Sequence, residues 1–133
     1  MVDDIETKPD NTLPSRAEPN VAFRQAMTAT ETRCSQLATS IENHDFEDVE
    51  YTARNAANMF LAGRAACRRL IERGKESSPY IDAARRLLEE NYMALLELFA
   101  RATKTIAVPR TRKVLHELRG TLMSAMARPL SDR

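Results

Sequence analysis

The side chains able to do chemistry are few and lie far apart in the chain. The two histidines are His44 and His116, and the two cysteines are Cys34 and Cys67. An imidazole or a thiolate binds a metal ion only together with further ligands, but the sequence contains neither an HExxH pattern nor a Cys-X-X-Cys pair. The sequence therefore predicts no metal site.

Carboxylates and glycines are no better placed for catalysis. Glu89 and Glu90 are adjacent, so on a helix their side chains point about 100° apart and do not form a carboxylate pair. The 3 glycines, Gly63, Gly74 and Gly120, are isolated from one another. Phosphate-binding loops need clustered glycines that let the backbone approach the ligand. We therefore predict that the chain is not an enzyme and binds no cofactor.

The composition favours a cytoplasmic protein. The acidic N-terminus is not followed by an apolar segment, so we expect no secretory signal. No run of 18 apolar residues is present, so we also expect no transmembrane helix. Two cysteines without a framework of further cysteines are typical of a reducing compartment.

Apolar residues at helical spacing predict four helices within a bundle domain of residues 20–128. Residues 1–19 hold three of the 6 prolines and no apolar period, which predicts a disordered tail. Each later segment carries a seam of apolar residues three and four positions apart, as on one side of a helix. The main seam positions are Phe23, Met27, Thr30, Cys34, Leu37 and Ile41; Phe46, Val49, Ala53, Ala56, Phe60, Gly63, Cys67 and Leu70; Ile81, Ala84, Leu88, Asn91, Leu95, Leu98 and Ala102; and Val114, Leu115, Leu118, Leu122 and Met126. Short connections between them predict an all-α, antiparallel up-down bundle.

Polar and conformationally special residues mark the helix ends. Asp45 is a predicted N-cap for the second helix, and Gly74 is suited to the left-handed residue that follows its end. Ser78 is a predicted N-cap for the third helix, with Pro79 at the first helical position. Pro109 is expected to stop this helix, because its ring clashes with the preceding turn.

The hairpin of the second and third helices predicts which residues lie level with each other. Pairing across the short turn places Asn91 opposite Ala62 and Gly63, where small side chains leave room for it. Two interpretations of Asn91 stay open: a buried residue that sets the register, or a partly exposed one at the edge of the seam. Cys34 and Cys67 are offset by roughly 20 Å along the helices, too far for a disulfide.

The small net charge of +1 conceals a strongly uneven distribution. Residues 1–50 carry 4 basic and 11 acidic side chains, whereas residues 101–133 carry 8 basic and 2 acidic ones. A basic patch on the predicted fourth helix consists of Arg110, Arg112, Lys113 and Arg119. Either the acidic part of the same chain neutralises this patch, or the patch binds a partner or an anionic surface. We expect no nucleic acid binding, because no aromatic residue follows Phe99 to stack on bases.

The second half of the chain resembles phasins, which coat polyhydroxyalkanoate granules with amphipathic helices. The resemblance is carried by the stretch Asn91–Ala102, the turn ending at Pro109 and the run Val114–Leu118, and more loosely by Asn58 and Gly63–Ala66 of the second helix. It covers about residues 51–127. It implies a granule-associated protein that binds an apolar surface. The apolar residues that would contact such a surface or another partner are Phe60, Leu95, Leu98, Phe99, Leu118 and Leu122. Their positions in or beside the seams favour a role in the core over one at an interface.

A second set of residues is similar to flagellar and type III export chaperones. It consists of the helix and turn Ile41–Phe46 and the run Leu87–Asn91. This resemblance implies binding to a helical segment of a partner protein. Either role would expose an apolar stripe, whose burial contributes about 25 cal/mol per Å². A self-contained bundle, or a homo-oligomer formed through the seams, is a further alternative.

Overall fold

A computed structural model describes residues 19–130 as four α-helices. They are α1 (Pro19–Glu42), α2 (Phe46–Arg73), α3 (Ser78–Thr105) and α4 (Pro109–Ala127). No strand occurs within these residues, so the predicted all-α class is confirmed. Pro19 is the first residue of α1, and the rest of the predicted tail lies outside the described residues. None of the four helices is long and apolar enough to cross a membrane.

The helices α2 and α3 form the centre of the bundle. Each of them contacts both α1 and α4, whereas within residues 19–130 no contact joins α1 to α4. The two outer helices therefore lie on opposite sides of the α2–α3 pair. This arrangement differs from a square bundle, in which the first and last helices also touch.

The ends of α2 are as predicted. The Asp45 carboxylate accepts a hydrogen bond of 3.2 Å from the backbone N–H of Asp48, which would otherwise lack an acceptor. At the other end Gly74 has φ of 64°, in the left-handed region that glycine adopts without a steric penalty. Its backbone N–H donates to the carbonyl of Ile71. Both residues therefore fix where α2 begins and ends.

The predicted boundaries of α3 need correction. Its N-cap is Ser77, not Ser78: the Ser77 hydroxyl accepts from the backbone N–H of Tyr80 at 3.3 Å, and Ser77 has an extended backbone. Ser78 is already helical. Pro109 does not end α3 either, because the helix ends at Thr105 and Pro109 instead starts α4. At the first position of a helix the backbone N–H has no acceptor within the helix, so its absence in proline costs no hydrogen bond.

The predicted seams form one continuous core. The large side chains of Phe60, Phe99, Leu95 and Leu122 belong to a single buried cluster to which all four helices contribute. The rings of Phe60 and Tyr92 stack with their centroids 6.0 Å apart. This contact confirms the antiparallel register that we predicted for α2 and α3.

Gly63 makes room for side chains of α1, whereas we predicted that it makes room for Asn91 of α3. A Cβ atom at Gly63 would overlap the terminal methyl group of Met27 and lie 3.2 Å from the Cβ atom of Ala26. The glycine therefore allows α1 to approach α2 closely. Asn91 is buried, with 5% of its surface exposed, so of its two interpretations the partly exposed one was wrong. Its amide donates to the carbonyl of Leu87 within the same helix, at 3.0 Å.

Candidate binding surface on helices α3 and α4

Most of the predicted apolar contact residues lie inside the bundle. Phe60, Leu95, Leu98, Phe99 and Leu122 are all buried, and Leu118 is half-buried against the same cluster. They are brought together by α2, α3 and α4. In the closed bundle, therefore, none of the five buried side chains is available to a surface or a partner.

The large apolar side chains that do reach solvent are different ones. Within residues 19–130 they are Tyr51, Met93 and Met123, with exposed fractions of 61%, 56% and 41%. Met93 on α3 and Met123 on α4 are almost equally far from the turn that joins these helices. Since each residue adds about 1.5 Å along a helix, the two methionines lie level to within about 3 Å. Tyr51 lies on α2.

Helix α4 turns two different sides towards its neighbours. The hydroxyl of Thr111 donates to Glu50 of α2 at 3.0 Å, and the Arg110 guanidinium lies 3.8 Å from the same carboxylate. At the other end, Arg64 of α2 donates to the carbonyl of Arg128 at 2.7 Å. The flank of α4 that carries Arg110 and Arg128 therefore faces α2, and the opposite flank faces α3.

The α3 side of α4 carries a row of exposed residues. Arg112, Arg119 and Met123 are seven and four positions apart, so they lie in one line along the helix. The half-buried Met126 follows Met123 by three positions and lies on the same flank. The predicted basic patch is thus divided: Arg110 pairs with α2, Arg112 and Arg119 flank the groove towards α3, and Lys113 is exposed on the outer surface.

The facing flank of α3 is half-buried and apolar. Because α2 and α3 are antiparallel, a two-fold axis running from the α1 side to the α4 side relates them. On each of these helices, the residue directly after a seam residue of the helix pair therefore points towards the same side, that of α4. On α2 this residue is Leu61, which lines a groove with Gly120 and Ser124 of α4. The equivalent residue of α3 is Leu96, and Met93 lies three positions before it, further towards solvent.

These residues form one surface, which we call the α3–α4 face. Its side chains are exposed or half-buried, and they combine an apolar strip with two guanidinium groups on one edge. The α3–α4 face consists of Met93, Leu96, Met123, Met126, Arg112 and Arg119. Sequence reasoning found the two arginines but missed the two exposed methionines, which are recognisable as large apolar residues outside the seams.

A buried arginine holds the end of α4. Arg64 is only 6% exposed, and besides Arg128 it donates to the carbonyl of Pro129 at 3.4 Å. Burial, followed by the nearby charges of Arg128 and Arg68, lowers its pKa. These carbonyls follow the last turn of α4, where the helix dipole favours a cation. We had not predicted this contact, since the sequence around Arg64 gives no signal for it.

A polar groove lies at the other end of the bundle, beside the turn between α1 and α2. It has a volume of about 480 Å³. Its polar groups bond to one another: Arg33 donates to Gln36 at 2.9 Å, and the Ser40 hydroxyl donates to the Asp48 carboxylate. These internal hydrogen bonds explain the groove as part of the fold.

The residues first considered for chemistry remain apart. His44 lies in the α1–α2 turn and His116 is exposed on α4. Burial, with a smaller effect of Glu31, raises the pKa of Cys34 to about 11. Burial also raises the pKa of Cys67, and both thiols are free. Within residues 19–130, no three potential ligands among His, Cys, Asp and Glu are grouped to hold a metal ion.

Comparisons of the chain with models of protein families, with curated proteins and with solved structures find no match.

Proposed function

We propose that the protein is a non-enzymatic, cytoplasmic binding protein that holds a helical segment of a partner protein. The observation that supports this function is the exposure of Met93 and Met123 at one level of the α3–α4 face, beside Arg112 and Arg119. Exposed methionines are typical of surfaces that adapt to a partner, because the side chain is flexible and polarizable.

The form of this surface favours a helix as the bound element. Two antiparallel helices leave a groove between them, and an amphipathic helix buries its apolar side in such a groove. The backbone of helices α3 and α4 is already hydrogen-bonded, so neither offers an edge to which a strand could add. This is the role implied by the resemblance to export chaperones.

A granule coat of the phasin kind is the second candidate. It is favoured by the continuity of the apolar cluster, in which Phe60, Leu95, Phe99 and Leu122 from three helices adjoin. Laid open on an apolar surface, these helices would present one broad stripe. This role requires the bundle to open, since the same side chains are buried in the closed form.

Sedimentation with polyhydroxyalkanoate granules, followed by hydrogen exchange of the bound protein, separates the two functions. A helix-binding protein is expected to stay in the supernatant and to keep its amide protection. A granule coat would sediment in a saturable way, and amides beside Phe60 and Leu95 would lose protection as the bundle opens. The latter result would replace the proposed function with the second candidate.

A further inference from the structure

We infer that the partner segment is an amphipathic helix with acidic residues on one flank, bound lengthwise along the α3–α4 face. This inference rests on the proposed function and adds the binding site and the chemistry of the partner. The apolar strip would take the partner's apolar side, and Arg112 and Arg119 would face its acidic flank.

The charges around the α3–α4 face indicate the sign of the charge on the partner helix. On the α4 edge, Arg112 and Arg119 are both exposed. The acidic neighbour Glu117 lies on the α2 side of the helix, where it lines a groove with Leu61. An acidic flank placed over this edge gains from two guanidinium groups, which bind carboxylates in a bidentate way. A basic flank at the same place would be repelled.

The other edge of the face argues against an anionic membrane as the partner. Glu89 and Glu97 are exposed on α3 near the apolar strip, where they are interspersed with Arg86 and Lys104, so this edge is not uniformly basic. A uniformly anionic surface would meet these carboxylates at the same time as the arginines of α4. A helix avoids this conflict, because it carries different charges on its two flanks.

The length of the face predicts the length of the bound segment. From Arg112 to Met126 the row on α4 spans 14 steps, or about 21 Å along the helix axis. A helix of about 14 residues covers this distance in four turns. Its apolar residues should recur every three or four positions to follow the strip formed by Met93, Leu96, Met123 and Met126.

Binding of designed peptides to the full chain tests this inference. The probe is a fluorescent 18-residue amphipathic helix with leucines on one side and glutamates on the flanks, and its counterpart carries lysines instead. At low ionic strength, anisotropy is expected to show the glutamate peptide binding at least about tenfold more tightly than the lysine peptide. The double variant R112E/R119E should reverse this preference.

Variants of the exposed apolar residues locate the binding site. The double variant M93S/M123S should weaken binding of the glutamate peptide about tenfold, the loss expected when apolar contact area is removed. Tyr51→Ser is the matched control, since among residues 19–130 Tyr51 is the most exposed of the large apolar residues but lies on another helix. It should leave the affinity unchanged. Circular dichroism before titration checks that each variant keeps its helix content.

Several outcomes would overturn the inference. Equal binding of the two peptides would contradict the acidic character of the partner. Equal weakening of binding by Y51S and M93S/M123S would contradict the location of the binding site on the α3–α4 face. Tighter binding to vesicles of anionic lipid than to either peptide would point to a membrane. If the chain forms a dimer that M93S/M123S abolishes, the α3–α4 face binds a second copy of the chain. If the chain binds a partner protein at another surface, this inference fails and the proposed function stands; sedimentation with granules contradicts both.

Discussion

The two outer helices pack on opposite sides of the same helix pair, but they are attached in different ways. α1 has 24 residues and lies close to α2, where Gly63 makes room for Met27 and Ala26. α4 has 19 residues, and polar contacts hold it near both ends, through Glu50 at the start and Arg64 at the finish. The contact of α1 thus combines large buried side chains, such as Phe23, Leu37 and Ile41, with a close approach at Gly63. The contact of α4 consists of a short apolar row with a polar contact at each end.

We propose that this difference separates a structural role of α1 from a binding role of α4. The exposed side of α1 carries small polar and charged residues, including Thr28, Thr32 and Ser35. The exposed side of α4 carries arginines and Met123 beside the groove to α3. Both helices close the core, but in our account only α4 also contributes to a surface for a partner.

Removing the central apolar contact of α4 is expected to have the largest effect. Leu122 is fully buried, so Leu122→Ala should lower the free energy of unfolding by about 2–5 kcal/mol, through lost burial and the cavity left behind. Urea denaturation measures this change. Hydrogen exchange should accelerate more in α4 than in α1, and a uniform acceleration would contradict the separate attachment of the two helices.

Filling the gap at Gly63 tests the attachment of α1. Gly63→Leu should lower the free energy of unfolding by about 1–3 kcal/mol, because the added side chain forces α1 away from α2. Gly120→Leu is the matched control, since open space surrounds Gly120. It should be neutral or stabilising, because glycine is a poorer helix former. Similar losses for both variants would mean that close packing is not what matters at Gly63.

The polar contact at the start of α4 should contribute about as much as the close packing at Gly63, and its charge alone should contribute less. Glu50→Ala leaves the buried hydroxyl of Thr111 without its acceptor and is expected to cost about 1–3 kcal/mol. Glu50→Gln keeps an acceptor oxygen and removes only the charge facing the exposed Arg110, with a cost below about 1 kcal/mol. Thermal unfolding of the two variants compares these values. If Gln is as harmful as Ala, the ion pair matters more than the hydrogen bond.

At neutral pH the smallest effect is that of the Cys34 thiol on α1, which keeps its proton in both the folded and the unfolded chain. Burial raises its pKa from 9.0 to about 11, so in the folded chain it keeps its proton at a pH where the unfolded chain loses it. Stability should therefore fall as the pH rises from about 9 towards 11. In a Cys67→Ser variant, the rate of alkylation by iodoacetamide should reach half its maximum near pH 11. A midpoint near pH 8.5, typical of an exposed cysteine, would show that Cys34 is more accessible than the fold indicates.

The spacing of apolar residues was sufficient to predict the fold, because a helix buries the side on which they recur. The core positions Phe60, Leu95 and Leu122 were found in this way, as was the register that stacks Phe60 on Tyr92. It was harder to predict which neighbouring helix a given seam residue contacts. Gly63 was assigned to α3 and in fact faces α1, because spacing along one helix does not show which neighbour lies over each part of the seam.

The candidate site was only half predictable for a related reason. Arg112 and Arg119 stand out in the sequence because charge is counted along the chain. Met93 and Met123 lie on different helices, and they become neighbours only when the antiparallel hairpin brings them level. The buried contact of Arg64 with the end of α4 depends on the same long-range arrangement.

Photo-crosslinking in the native cell tests the binding role of the α3–α4 face most directly. A photoreactive amino acid replaces Met123 in one variant and Tyr51 in another, and mass spectrometry identifies what each position contacts. We predict adducts at position 123 with an acidic helical segment of one partner protein, and none of these adducts at position 51. Adducts that form equally at both positions, or that join position 123 only to residues 1–18 of the same chain, would contradict the account.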